Sequence, residues 1–125
     1  MKNVVDSSGW IEYFINSDNA KAFATPIRDT ENLIVPTLCL YEVFKRLLLG
    51  IAEDEALTTI GNMFLGTVVE LDRYTALNAA RLSVEHKLAM ADSVILATAR
   101  AYDAILWTQD EHFKDLDGVK YVEKK

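Results

Sequence analysis

The sequence predicts an α/β fold, a mostly parallel sheet with helices on both faces, and three observations point there. Five short apolar runs, Asn3–Asp6, Leu33–Pro36, Thr67–Leu71, Ala104–Thr108 and Val119–Val122, have the length of strands. The longer segments between them carry apolar residues at helical spacing, and strands that alternate with helices join most simply into a parallel sheet. Half of the 125 residues are hydrophobic, with no repeat, low-complexity run or linker, so residues 1–125 are expected to form one domain with a real core.

In chain order, Val4 and Val5 end the first strand and leave Asp6 at its tip. Ser7, Ser8 and Gly9 are turn and helix-start residues, and Asp6 is suited to cap the helix that Trp10, Ile11, Tyr13 and Phe14 build. After the strand LIVP, Thr37 is the expected N-cap of a helix whose Leu40, Val43, Phe44, Leu47, Leu48 and Ile51 recur at helical spacing and face the core. Leu38, Tyr41 and Leu49 lie off that stripe. Either the helix is nearly enclosed, or it keeps a second apolar face for a partner. Glu53, Asp54 and Glu55 complement the positive end of the next helix, and Gly66 suits its end. A helix over Tyr74–Leu88 follows, then one opened by Asp92, where Ser93, Ala97 and Ala101 allow close packing. Trp10 and Trp107 are read as core, Cys39 as a buried inert thiol, and His86 as a partner for the carbonyls at its helix end.

The formal net charge is −6, which argues against a broad basic face as the means of holding nucleic acid, because that mode needs clustered Lys and Arg to displace counterions. A nuclease stays open, since dications bound among acids neutralise part of their charge. One cysteine and two histidines are too few soft ligands for a structural zinc site. No apolar run approaches the ~20 residues that span a bilayer, and no leader pattern opens the chain. A cytoplasmic protein without a membrane partner is expected.

Ligands of parallel α/β sheets bind outside the carboxyl ends of the strands, and four acids fall near that edge. Asp6 ends the first strand, Glu42 stands just over one turn into the helix after LIVP, Asp92 stands at the mouth of a helix, and Asp110 comes two residues after Thr108. Each has a plainer role open to it: Asp6, Asp92 and Asp110 as caps or turn residues, and Glu42 in a surface ion pair with Lys45 or Arg46. If the four converge, two charges about 4 Å apart repel by roughly 4 kcal/mol at an effective dielectric of about 20. Such a cluster needs protons or cations, and carboxylate oxygens select hard ions such as Mg²⁺ or Mn²⁺. Dications so held activate water at a phosphodiester, which makes hydrolysis of that bond the expected chemistry.

The stretches VVDSSGWIEYF, PTLCLYEVFKRL and LAMADSVILATARAYDAILWTQDEHF resemble the three acidic blocks of PIN-domain ribonucleases, and closely resemble the VapC-type toxins among them. The blocks run in order from Asp6 to Phe113. The resemblance implies a PIN-like fold and an endoribonuclease whose acids chelate Mg²⁺ or Mn²⁺ and direct a water at an RNA phosphodiester; Asp6, Glu42, Asp92 and Asp110 occupy the places of those acids. It implies that Thr108 supports the site and that Ser8 helps hold Asp6, although a strand-end Thr and a helix-start Ser are also ordinary structural choices. It further implies a homodimer, which the face around Leu38, Tyr41 and Leu49 would suit, and an antitoxin whose tail covers the acidic groove. Lys45, Arg46, Arg81 and Arg100 are candidates for phosphate contacts. His112 is either a solvent-facing turn residue or a ligand for RNA or metal. Asp115 and Asp117 follow Asp110 closely enough to share or replace its role; Asp110 is preferred.

Two other readings use the same features. A receiver-type signalling domain also has an acidic Mg²⁺ pocket on a doubly wound sheet, but it needs adjacent acids after its first strand, and Asp6 has hydroxyl neighbours instead. A PIN ribonuclease that processes RNA without an antitoxin, or a catalytically idle interaction module, keeps the fold and changes the role.

Overall fold

The computed structural model describes residues 1–125. Its five strands, β1 (Lys2–Val5), β2 (Leu33–Pro36), β3 (Thr67–Val69), β4 (Ala104–Thr108) and β5 (Val119–Tyr121), form one sheet in the order β3-β2-β1-β4-β5. Every neighbouring pair is parallel. The helices are α1 (Ser7–Phe14), α2 (Ala20–Arg28), α3 (Thr37–Leu48), α4 (Glu53–Ile60), α5 (Arg73–His86) and α6 (Met90–Ala101). Val4 and Val5 point to opposite faces of β1, yet both are fully buried, and all four residues of β2 are buried too. Both faces of the sheet are therefore covered. α1 packs on α2, α5 packs on α6, and α3 touches both α1 and α6. None of these helices is long and apolar enough to cross a membrane.

From β1 the chain steps outward to β2 and β3, then crosses back to lay β4 on the other side of β1. That reversal opens a crevice beyond the carboxyl ends of β1 and β4, where open α/β sheets bind ligands. Asp6 and Asp110 leave those two strands. Receiver domains use the order 2-1-3-4-5, so the observed order excludes that reading.

Several boundaries differ from the sequence expectation, each for a local reason. β1 starts at Lys2 and stops at Val5, because Asp6 turns to cap α1 while its N–H still donates to the Trp107 carbonyl at 3.1 Å. The edge strands β3 and β5, each with one partner, stop at Val69 and Tyr121, short of Leu71 and Val122. Thr37 is the first residue of α3, not its cap; Pro36 ends β2 and enters the helix directly, without a side-chain cap bond. Cys39 and Val43 hold the inner face of α3, whereas Leu48 is exposed and Ile51, also exposed, lies past the helix. α4 gives way to a 3₁₀ turn over Gly61–Leu65, so Gly66 does not end it. Gly66 is needed for space, since a Cβ there would sit 2.9 Å from the Leu33 carbonyl oxygen.

α5 begins at Arg73 because Asp72 caps it, accepting from the Thr75 N–H at 2.8 Å, and it ends at His86 because Lys87 turns left-handed at φ 56°. His86 lies 3.7 Å from Glu85 rather than on the helix-end carbonyls. α6 begins at Met90 with Ala89 at its cap position, so Asp92 is the third helical residue and has no capping duty. Trp10 is fully buried; Trp107 is half-buried, its indole N–H donating to Asn3 Oδ1 at 2.9 Å. Cys39 is buried beside the Val5 carbonyl, and burial pushes its thiol far above the ordinary range.

Candidate active site

Asp6 sits where β1 runs into α1, and the residue is 5% exposed. Oδ1 accepts from the Gly9 N–H at 3.0 Å and from Ser8 Oγ at 2.8 Å; Oδ2 accepts from Thr108 Oγ1 at 2.5 Å. Thr108 Oγ1 in turn accepts from the Asp110 N–H at 3.0 Å. The single Thr108 proton is thus committed to Asp6, and one of its lone pairs to the turn that carries Asp110. Burial pushes the Asp6 carboxyl above its ordinary range, against the bonds from Thr108, Gly9 and Ser8 that favour the charged form; the nearby Asp110 charge adds to the rise.

Glu42 comes within reach because β2 passes into α3 with no intervening loop. Its Oε1 accepts from Ser7 Oγ at 2.6 Å, and no lysine or arginine lies within 4.0 Å of it. The surface ion pair open to it on sequence grounds is absent, with the Lys45 ammonium instead 5.7 Å from the centre of the Tyr41 ring.

α6 runs back along the sheet before β4, so its first turn lies at the edge where the strands end. Asp92 there is half-buried and takes part in no side-chain hydrogen bond. Burial, followed by the charges of Asp110, Asp6 and Glu42, pushes its carboxyl up to about 6, with His112 opposing. Asp110 caps the 3₁₀ turn Glu111–Phe113, accepting from the His112 N–H at 2.9 Å with His112 Nδ1 at 3.0 Å. It is therefore a turn cap and a cavity residue at once. Asp115 and Asp117 are exposed and line no part of the cavity; Asp117 offers only its carbonyl, to Arg100.

Asp6, Glu42, Asp92 and Asp110 line one open cavity of about 840 Å³. Asp92, Asp110 and His112 can each place a ligand atom within 4.8 Å of the others. The donor set is mostly carboxylate oxygen, no lysine or arginine pairs with it, and the Asp6 and Asp92 carboxyls are both raised. Such a set fits a hard divalent cation.

A second cleft of about 460 Å³ opens beside the first and is lined by Ile11, Tyr41, Leu49, Lys45 and Arg46. Tyr41 and Leu49 are 60% and 80% exposed, so α3 is not enclosed. Arg81 and Arg100 lie together in a separate groove with no acid of the cavity. Two residues that sequence reasoning passed over, Gln109 and Lys124, line both cavities. Gln109 is buried, accepting from Asn19 Nδ2 at 2.8 Å and donating to Glu12 at 3.1 Å. Its only sequence clue is its place between Thr108 and Asp110; Lys124 has none.

No curated protein sequence matches the chain. Solved structures do share its fold. A toxin–antitoxin complex from Klebsiella pneumoniae aligns with a TM-score of 0.79 and 20% identity over 95% of this chain and 96% of that one. DNA-bound VapBC from Salmonella typhimurium aligns at 0.76 and 14% identity, over 98% and 97% of the two chains. The sarcin-ricin loop cleaving toxin VapC20 of Mycobacterium tuberculosis aligns at 0.70 and 12% identity, over 90% and 92%. At these identities the likeness is one of fold. The sequence itself matches the PIN domain over residues 4–119, from the first core valine of β1 into β5, and the chain belongs to the PIN domain family.

Proposed function

We propose that this chain is a VapC-type toxin, an Mg²⁺- or Mn²⁺-dependent endoribonuclease that hydrolyses RNA phosphodiesters in the cytoplasm and is neutralised by a partner antitoxin. The observation that carries the proposal is the single cavity into which Asp6, Glu42, Asp92 and Asp110 project from four different parts of the sequence. Family membership supports a nuclease, and similar folds in proteins named as toxin–antitoxin complexes and as an RNA-cleaving toxin favour a toxin over an RNA-processing role.

A divalent ion held by those four carboxylates would lower the pKa of a water and offset the charge that develops on the phosphodiester oxygens. The chain's own groups prepare the place. Thr108, Ser8 and the Gly9 N–H fix the Asp6 carboxylate, and Ser7 aims Glu42. The Asp92 side chain, free of hydrogen bonds and raised by burial and then by its acidic neighbours, is a carboxyl whose ionised form gains from a cation. Lys45 and Arg46 border the adjoining cleft, where a phosphate backbone can be held without contact to the acids. The apolar side chains of that cleft, Ile11, Tyr41 and Leu49, suit the tail of an antitoxin. A homodimer is part of the same proposal: besides the α3 residues, Tyr74, Leu77 and Val84 stand exposed along α5.

The test is incubation of the purified chain with total RNA in Mn²⁺ or in EDTA. Discrete fragments in Mn²⁺ alone are expected; intact RNA under both conditions contradicts the proposal. Co-expression with a short DNA-binding protein encoded beside the chain should relieve growth arrest, and arrest that persists would favour a nuclease without an antitoxin.

A further inference from the structure

We propose, resting on the nuclease reading above, that Lys124 is an RNA-binding residue: it grips a phosphate flanking the one cleaved, where the strand passes from the Lys45–Arg46 cleft into the acidic cavity. Lys124 lines both spaces. Among the residues of the acidic cavity it is the one permanent cation, His112 being the other basic group.

The backbone leading to it is held in place. The Val122 N–H donates to the Thr108 carbonyl at 2.7 Å, carrying the strand pairing one step beyond β5. Asn19, 3% exposed, spends its amide on two acceptors, Gln109 Oε1 at 2.8 Å and the Glu123 carbonyl at 3.2 Å. These bonds tie the segment after β5 to the strand end that carries Asp110. Lys124 follows immediately, yet no carboxylate lies within 4.0 Å of its ammonium. It is neither a partner consumed by the acids nor remote from them.

A phosphodiester entering a carboxylate-lined cavity in a chain of net charge −6 meets like charge before it meets any ion. A fixed cation at the mouth offsets that repulsion, and a compact ammonium on a flexible stem can follow the phosphate. Each such contact releases a counterion, so it leaves a mark in the salt dependence of binding.

The test reads binding without turnover, in the Asp92→Asn background with Mg²⁺, by fluorescence anisotropy of a fluorescein-labelled single-stranded RNA of random sequence across a range of KCl. Lys124→Gln should weaken binding roughly tenfold and reduce the slope of log K against log[salt] by about 0.7, the value for one phosphate contact on a single strand. Lys124→Arg should restore both, and the melting temperature should match the parent in each. An unchanged affinity and slope in Lys124→Gln overturns the proposal, as does a loss that Lys124→Arg fails to restore, which marks a structural role. Cleavage of total RNA by the otherwise wild-type chain separates the two levels: if it cuts and Lys124→Gln binds as the parent does, only the Lys124 assignment falls. If it never cuts with Mn²⁺, both fall.

Discussion

Asp6 and Asp92 carry the same charge into the same cavity, but different forces act on them. Both Asp6 oxygens accept buried or half-buried donors. An asparagine offers one acceptor and must turn its N–H₂ toward either Thr108 or the Gly9 N–H, which leaves a buried donor unmatched at a cost of about 1–3 kcal/mol. Asp92 has no such bonds, and asparagine there relieves the cost of burying a charge and, after it, the repulsion from Asp110, Asp6 and Glu42. In EDTA at neutral pH, thermal unfolding should therefore show Asp92→Asn a few degrees above wild type and Asp6→Asn below Asp92→Asn, because the unmatched donor offsets the relief of its burial penalty, while both lose RNA cleavage. The same contrast fixes a pH dependence. Burial and the neighbouring acids push the folded Asp92 carboxyl up to about 6 from its ordinary range of about 4, so the native state holds that proton more tightly than the unfolded chain. The contribution of Asp92 to the stability of the metal-free protein is then lost as pH rises from about 4 to about 6, and the loss is complete above that window. The melting gap between Asp92→Asn and wild type should widen across it; a gap that stays flat contradicts the coupling. The four acids were legible because carboxylates at strand ends cannot cluster without consequence. Gln109 and Lys124 were not, because their positions depend on bonds from Asn19, and nothing in the spacing of the chain announces them.

At the scale of elements, the seat of α1 governs the site. A Cβ on Gly9 would lie 2.7 Å from Val5 Cγ1 and 2.8 Å from the Phe23 ring, so the helix approaches β1 and α2 only because that residue has no side chain. Gly9→Ala must lift α1 and pull the Gly9 N–H from Asp6. A cost of about 1–3 kcal/mol is expected for such overpacking, read by urea denaturation, together with a fall in cleavage; an unchanged unfolding midpoint would show that Phe23 yields instead. The strand–helix alternation and the core valines of β1 could be read from hydropathy. The start of α1 behind its Asp6 cap could be read too, but those of α3 and α6 could not: Pro36 and Ala89 stand at cap positions without a polar side chain, so Thr37 and Asp92 looked like caps. With capping left to the backbone at α6, Asp92 is free to face the cavity.

For the whole molecule, alternation of strands and helices predicts a parallel sheet but not the order of its strands. The order is set by where the chain turns back, here between β3 and β4, and that turn brings Asp6 and Asp110 to adjacent strand ends. Convergence of the acids was thus conditional in sequence and is a property of topology in the fold. It also concentrates negative charge in a chain already at −6, so a divalent ion should stabilise the native state by mass action, about 2.7 kcal/mol at a hundredfold excess over its Kd. Glu42 is the sharpest probe of this, since it caps no helix and Ser7 alone holds its carboxylate. The most direct measurement is the melting temperature of wild type and Glu42→Gln titrated with Mn²⁺. Wild type should rise steadily with the ion and Glu42→Gln should respond at least tenfold more weakly in apparent affinity, since losing even an outer-shell partner of a metal ligand costs about ten- to a hundredfold. A wild type indifferent to millimolar Mn²⁺, or a Glu42→Gln that responds as fully, would contradict a shared metal centre.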